Sequence, residues 1–196
     1  MAREVLDAVV TDFYRPNELR ALLEAADGPL RAVIALQGLA GLRLQKCLRL
    51  DWRQGFGIPG SIEVSSAKSK TRSRRLVEIC PSLAAWLEPF RGREGRVWQG
   101  TETAQGYEHV FRKLLKSQGI NWRKNGFRHG FCSYHFALHA NENLTAALAG
   151  NSPAMIDAHY KGLATRAEAE KWFAVAPATA ATNVIPLVTA SATGAK

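Results

Sequence analysis

The last third of the chain carries three short motifs in a fixed order. Residues 125–131, NGFRHGF, place an Arg-His pair near the start of a predicted helix. Residues 149–153, AGNSP, form a turn that ends one helix and begins the next, because Gly readily adopts left-handed backbone and Pro fits the first helical turn. Tyr160 follows nine residues after Asn151. The chain must therefore fold so that short helices with polar groups at their ends succeed one another here.

Helical periodicity dominates the rest of the body. Pro16 begins a helix that has Leu19, Leu22 and Leu23 on one face, and residues 32–38 are apolar on all sides, which predicts a buried helix. Residues 61–66 and 75–79 alternate as two strands of a hairpin. Further helices are predicted at residues 42–50, 81–90, 105–117, 126–140, 143–149, 153–160 and 165–173. The sequence thus predicts a mainly α fold with a small antiparallel β-sheet, in the α+β class.

The length and composition indicate one domain with short flanks. A chain of 196 residues with 46% hydrophobic content is long enough for one full core and short for two. Residues 1–14 are interpreted as a leader or linker remnant, and residues 15–175 as the domain. Residues 176–196 are rich in Ala and Thr and uncharged until Lys196, so we expect a tail that is flexible or docks on a partner.

Positive charge is concentrated in the middle of the chain. The formal net charge is +9, but the span 43–128 alone holds 18 Lys or Arg and seven acidic residues, a net charge of +11. A field of this sign favours a polyanionic partner such as nucleic acid. A solvated basic surface is the alternative.

The cysteines and the N-terminus indicate a cytoplasmic protein. Cys47, Cys80 and Cys132 form no CxxC pair and are odd in number, so we interpret them as reduced, mostly buried thiols. The first residues lack the basic and apolar regions of a signal peptide. No segment has the composition of a membrane span, and no membrane partner is expected.

Together with residues 38–43, GLAGLR, these motifs resemble the catalytic domain of tyrosine recombinases, the phage integrase family. The resemblance covers roughly residues 15–175. It implies that Arg43 and Arg128 are the two catalytic arginines that neutralise the phosphate, and that Tyr160 is the nucleophile. The structural alternatives are a surface Arg43, a salt-bridging Arg128 and a Tyr160 that only fills the core.

The basic hairpin tip at residues 68–74 also matches the family. The resemblance implies that a Lys in this turn protonates the leaving 5′ oxygen; Lys70 fits the pattern best and Lys68 competes with it. A hairpin that only touches phosphates is the alternative. The residues expected to bind the DNA backbone are Lys68, Arg72, Arg74, Arg75 and Lys124.

Three positions depart from the family pattern. Asn125 stands where the family usually has His, and Asn151 stands where it has His or Trp. An Asn side chain can donate a hydrogen bond to phosphate but cannot accept a proton from a phenol. We therefore expect Asn151 to donate a hydrogen bond in the site, with Asn125 and His129 as further candidate residues, although His129 fits a packing role better. Lys46 replaces a usual acid, which removes an ion pair near Arg43.

The resemblance implies cleavage and rejoining of double-stranded DNA through a 3′-phosphotyrosyl intermediate, without metal or cofactor. It also implies further recombinase subunits on the DNA, and a separate N-terminal DNA-binding domain in the full-length form. A catalytically silent or impaired DNA-binding module on the same fold is the alternative, favoured by the two asparagines. A topoisomerase-like enzyme that nicks and reseals DNA is a third hypothesis.

Overall fold

The computed structural model describes residues 12–64, 74–100 and 103–178, and these are mainly helical. A single antiparallel hairpin pairs β1 (Ser61–Val64) with β2 (Arg75–Glu78), so that Ser61 lies opposite Glu78 and Val64 opposite Arg75. The helices in the described ranges are α1 (Pro16–Ala25), α2 (Gly28–Ala40), α3 (Leu44–Arg49), α4 (Trp52–Gly55), α5 (Pro81–Leu87), α6 (Ala104–Ser117), α7 (Gly126–His139), α8 (Glu142–Ala149), α9 (Pro153–Tyr160) and α10 (Arg166–Phe173). The predicted fold class is confirmed.

Helix α2 lies at the centre of the core. It is buried from Leu30 almost without interruption to its end, and it packs against α1, α3, α5 and α7. Burying apolar residues on every side of one helix explains why it shows little amphipathic character. The helix ends at Gly41, whose left-handed backbone (φ 63°) presses against the ring of Phe131 so closely that a Cβ atom would overlap it. This close approach joins the end of α2 to α7.

Aromatic packing fixes the start of α7. Asn125 adopts left-handed backbone (φ 54°) just before the helix, and a Cβ atom on Gly126 would lie 2.7 Å from the ring of Tyr14. Phe127 packs against the rings of Tyr14 and Phe111, with ring centroids 4.5 and 5.5 Å away. The next residue, Arg128, is thereby held in place at the third position of the helix.

Helix α10 packs on the core against α7 and α1. Trp172 of α10 is fully buried, stacks on Tyr134 and donates a hydrogen bond from Nε1 to the carbonyl oxygen of Gly38 (2.9 Å). Trp86 of α5 donates to the carbonyl oxygen of Val175 (2.8 Å). These bonds satisfy both indole donors and tie the C-terminal helix to the core.

The structure differs from the sequence predictions at three places. Phe13 and Tyr14 are buried in the core, so packing begins before residue 15. Asp51 caps the backbone of Arg53 and Gln54 and begins α4, a helix that the sequence analysis missed. Helix α3 begins at Leu44, which leaves Arg43 in extended backbone at its N-cap (ψ 141°). Residues 65–73, and with them the predictions for Lys68, Lys70 and Arg72, lie outside the described residues, as do residues 179–196 of the predicted tail.

Candidate active site

Arg128 lies at the centre of a cluster of polar groups, where two helices end and a third begins. Its side chain is only 8% exposed. Nη1 donates to the carbonyl oxygens of Gly41 and Ala149 (2.7 Å each), and Nη2 donates to Oδ1 of Asn151 (2.8 Å). Carbonyl groups at helix C-termini carry partial negative charge and lack partners within the helix, so they suit a guanidinium. Arg128 thus connects the ends of α2 and α8 to the start of α7.

Asn151 brings the two arginines together. Its Oδ1 also accepts a hydrogen bond from Nη2 of Arg43 (3.0 Å), so one amide oxygen orients two guanidinium groups. Gly150 ends α8 in left-handed backbone (φ 66°), and the backbone N–H of Asn151 donates to Ala146. The turn therefore directs the side chain toward the arginines. The amide oxygen accepts here, whereas the sequence analysis gave Asn151 only a donor role.

Tyr160 lies beside this cluster at the end of α9. The side chain is 5% exposed and packs in a small apolar group with Phe131, Cys132 and Ile156. Its hydroxyl lies 3.0 Å from Nδ1 of His129. The pKa of Tyr160 is raised to about 12, mainly by burial and also by the nearby Cys132, while the charge of Arg128 opposes the shift. The phenol is therefore protonated at neutral pH.

His129 is the imidazole that lies within hydrogen-bond distance of the Tyr160 hydroxyl. Burial lowers the pKa of His129, and the charge of Arg128 lowers it further. The imidazole is therefore neutral at neutral pH, and in the tautomer whose Nδ1 carries no proton it can accept a hydrogen bond from the Tyr160 hydroxyl. This contact joins the N-terminal turn of α7 to the last residue of α9, residues that are 31 positions apart.

Asn125 does not join this cluster. It is exposed and lines a shallow groove with Tyr107 and Trp122. Within the described part of the chain its side chain makes no hydrogen bond to Arg43, Arg128 or Asn151. Of the two asparagines that the sequence analysis named as candidate site residues, only Asn151 is bonded to the arginines.

The predicted DNA-binding residues in the described ranges fall into two groups. Arg74 and Lys124 are exposed, and Arg74 lies 3.7 Å from Glu63. Arg75 instead turns inward, on the face of β2 that also carries the buried Val77. Lys46, at the position of the family's usual acid, is half-buried; burial and then the charge of Arg75 lower its pKa.

Two features of the site escaped the sequence analysis. The carbonyl oxygens of Gly41 and Ala149 hold Arg128, and no residue-type pattern marks a backbone acceptor. The inward direction of Arg75 had a signal, since alternation along the strand places it on the same face as Val77.

Known structures share this fold. The chain is similar to XerA recombinase, with 18% identity and a TM-score of 0.66 over 84% of this chain and 62% of the other. It is also similar to the Tn1549 transposon integrase in complex with a circular intermediate DNA (17% identity, TM-score 0.63, 84% of this chain and 65% of the other). A lambda integrase dimer bound to a COC′ core site gives 15% identity and a TM-score of 0.61 over 83% of this chain and 64% of the other.

These similarities define the fold as that of the tyrosine recombinase catalytic domain. The chain spans less than two thirds of the length of each of these three solved structures. The sequence matches no protein-family model. A comparison with curated proteins gives no match either. None of the helices in the described part of the chain has the length and apolar character needed to cross a membrane.

Proposed function

We propose that this domain cleaves and rejoins DNA strands by transferring a DNA phosphate to Tyr160. The observation that supports this most strongly is the arrangement around Asn151. One amide oxygen holds Arg43 and Arg128 side by side, next to a tyrosine whose hydroxyl already contacts a neutral imidazole. Such an arrangement provides an anion-binding pair, a nucleophile and a proton acceptor.

The two arginines would bind the non-bridging oxygens of the scissile phosphate. Arg128 has fixed geometry because three hydrogen bonds hold its guanidinium, and Arg43 is exposed and shares one of the same acceptors. Preorganised positive groups stabilise the extra negative charge of a pentacoordinate phosphorane without reorganising during the reaction. Asn151 would act as the positioning residue for both.

Tyr160 would attack the phosphorus atom while His129 accepts its proton. The new bond joins Oη of Tyr160 to phosphorus, and the bond from phosphorus to the 5′ oxygen breaks. The nucleophile needs an acceptor because its pKa is raised to about 12. His129 would supply it where neither Asn125 nor Asn151 can. Since the hydroxyl is buried, the end of α9 must shift when DNA docks.

The leaving 5′ oxygen needs a proton donor, and a Lys in the hairpin tip remains our proposal for it. Lys70 is the first candidate and Lys68 the second. Both come between β1 and β2 in the sequence, and β2 carries Arg75 toward the site. Reversal with another 5′ hydroxyl would rejoin the strands, and the phosphotyrosyl bond conserves the energy of the broken phosphodiester, so no nucleotide cofactor is needed.

Double-stranded DNA is the proposed substrate, bound by several subunits. The net charge of +11 over residues 43–128 favours a polyanion. The lambda integrase structures with this fold are a dimer on a core site and a tetramer on a Holliday junction. We infer comparable assemblies for this chain, with strand exchange between bound sites.

A silent DNA-binding module is the second candidate function. It is favoured by the buried, bonded Tyr160 and by the absence of His at positions 125 and 151. Arg43 and Arg128 would then hold a backbone phosphate without any transfer to the tyrosine.

Trapping on nicked DNA distinguishes the two functions. The protein is incubated with a pool of nicked duplexes of random sequence, and adducts that survive denaturation are counted. Tyr160→Phe should abolish adducts, while the matched control Tyr134→Phe, which loses one hydrogen bond to Tyr14 in the core, should keep them. Adducts with Tyr160→Phe would show a wrong nucleophile, and no adducts with the wild type would favour the silent module.

A further inference from the structure

Arg75 is half-buried, whereas the residues on either side of it in the sequence are exposed. It begins β2 opposite Val64 and shares the inward face of the strand with Val77, while Arg74 and Leu76 are exposed. The guanidinium therefore points toward the body of the domain, where α8 packs beside β2. Arg75 therefore does not share the exposed position of Arg74.

The surroundings of Arg75 are positive. The nitrogen atoms Nε and Nη2 are buried and have no hydrogen-bond partner. The pKa of Arg75 is lowered to about 10, mainly by burial and also by the charges of Arg128 and Arg43, so both of those guanidinium groups lie within electrostatic reach of Arg75. Among the described residues no carboxylate forms an ion pair with it. At a pKa of about 10 the group stays charged at neutral pH.

The structure makes room for this side chain. A Cβ atom on Gly150 would overlap Nη1 of Arg75 and lie 2.9 Å from its Cζ. Gly150 is also the residue that ends α8 and leads into Asn151. The turn that orients Arg43 and Arg128 is thus the turn against which Arg75 packs.

Burying guanidinium N–H groups without acceptors costs free energy, because these groups lose their hydrogen bonds to water. An anion bound between the three arginines would supply acceptors for the free N–H groups and offset the mutual repulsion of the charges. A phosphate diester has the tetrahedral oxygens that guanidinium groups bind. A carboxylate of this chain does not fill the place within the described residues.

We propose that Arg75 is a third phosphate ligand of the site, acting with Arg43 and Arg128. The inference rests on the proposed function for the identity of the anion as a DNA phosphate. It changes the proposed roles: the first residue of β2 binds the reacting phosphate, and the exposed Arg74 contacts only flanking backbone.

Inorganic phosphate tests this without DNA. Melting temperatures are measured with increasing sodium phosphate at an ionic strength held constant with sodium chloride. The variants are Arg75→Met, which keeps an unbranched stem and removes the charge, Arg75→Lys, and Arg53→Met as the matched control, whose side chain is 81% exposed. At a phosphate concentration tenfold above Kd, the wild type should melt about 3 to 6 °C higher than without phosphate.

The expected pattern has two parts. Arg75→Met should lose at least half of the phosphate shift, Arg75→Lys should keep more of it than Arg75→Met, and Arg53→Met should keep all of it. Without phosphate, Arg75→Met should melt at or above the wild-type temperature, because an unpaired buried charge has been removed. A merely structural arginine predicts the reverse, a less stable variant with an unchanged shift.

Two results would overturn the inference: a full phosphate shift in Arg75→Met, or no shift in the wild type. Neither depends on the nucleophile. If the phosphate-induced rise in melting temperature requires Arg75, the inference holds even when no phosphotyrosyl adduct forms. If adducts form but the rise does not depend on Arg75, the inference fails and the proposed function remains.

Discussion

Replacing Asn151 with Asp should stabilise the fold and inactivate the site. The two side chains have nearly the same shape, so the carboxylate can keep both hydrogen bonds to Arg43 and Arg128, at 3.0 and 2.8 Å. The change places a negative charge between two guanidinium groups that otherwise repel each other. It also fills the anion site with a charge from the protein itself.

The magnitude follows from these distances. A pair of unit charges about 4 Å apart is worth about 4 kcal/mol at an effective dielectric constant of about 20. Arg43 is exposed, so solvent screens its share, and the carboxylate loses part of its hydration. We expect a net gain of about 1 to 3 kcal/mol in the free energy of unfolding, which corresponds to a rise in Tm of about 2 to 12 °C.

The stability gain of the Asn151→Asp variant should depend on pH in a defined direction. The two arginines lower the pKa of the new Asp in the folded state below its ordinary value of about 3.9. The gain should therefore be fully present above about pH 4 and lost as the pH falls through the lowered pKa. Denaturant unfolding at several pH values measures it, with Asn121→Asp at an exposed position as the matched control.

The same variant should form adducts at least about 100-fold more slowly, because two arginines neutralised by Asp no longer attract a phosphate. A less stable Asn151→Asp protein, or a gain that Asn121→Asp reproduces, would refute the electrostatic reasoning. Adduct formation at the wild-type rate would refute the assignment of the arginines to the phosphate.

Three more outcomes are expected from the charge and the backbone. DNA binding measured by fluorescence anisotropy should weaken steeply with salt. Neutralising the basic hairpin should lower the slope of log K against log salt concentration by up to about 0.9 for each DNA phosphate that the hairpin no longer binds. An unchanged slope would contradict a phosphate-binding hairpin. The residues to be replaced together are Lys68, Lys70, Arg72 and Arg74. His129→Gln should slow adduct formation by about 10²- to 10⁴-fold. The wild-type rate should decline at acid pH, where His129 becomes protonated despite its lowered pKa. A pH profile of the rate that is the same in the variant would exclude His129 as the proton acceptor. Gly150→Ala should lower the free energy of unfolding by more than Gly92→Ala does. Both glycines have left-handed backbone, but only at Gly150 would the new methyl group overlap Arg75. Equal losses in denaturant titrations would contradict that close approach.

The order and spacing of the motifs predicted the fold and the approximate place of the site. Pro16, Pro81 and Pro153 each begin a helix where the sequence analysis put one, because proline fits the first turn of a helix. The turn before Asn151 was recognisable because Gly150 adopts the left-handed backbone that ends α8. Signals of this kind are local and belong to a few neighbouring residues.

The parts that were missed depend on contacts between distant segments. The bond from Tyr160 to His129 depends on how α9 docks on α7, and no spacing in the sequence encodes it. The burial of Tyr14 depends on Phe111 and Phe127, which lie about a hundred residues away. Asn125 was assigned to the site by its separation from Arg128, but its left-handed backbone directs it elsewhere.

Because Arg128 is held by the ends of α2 and α8, the charged cluster exists only in the fully assembled domain. A chain in which α8 has not docked leaves Arg128 without Ala149 and Asn151, and Arg43 without its acceptor. The phosphate-binding geometry proposed for this cluster is therefore a property of the assembled core, because the bond between Arg43 and Asn151 joins residues 108 positions apart in the sequence.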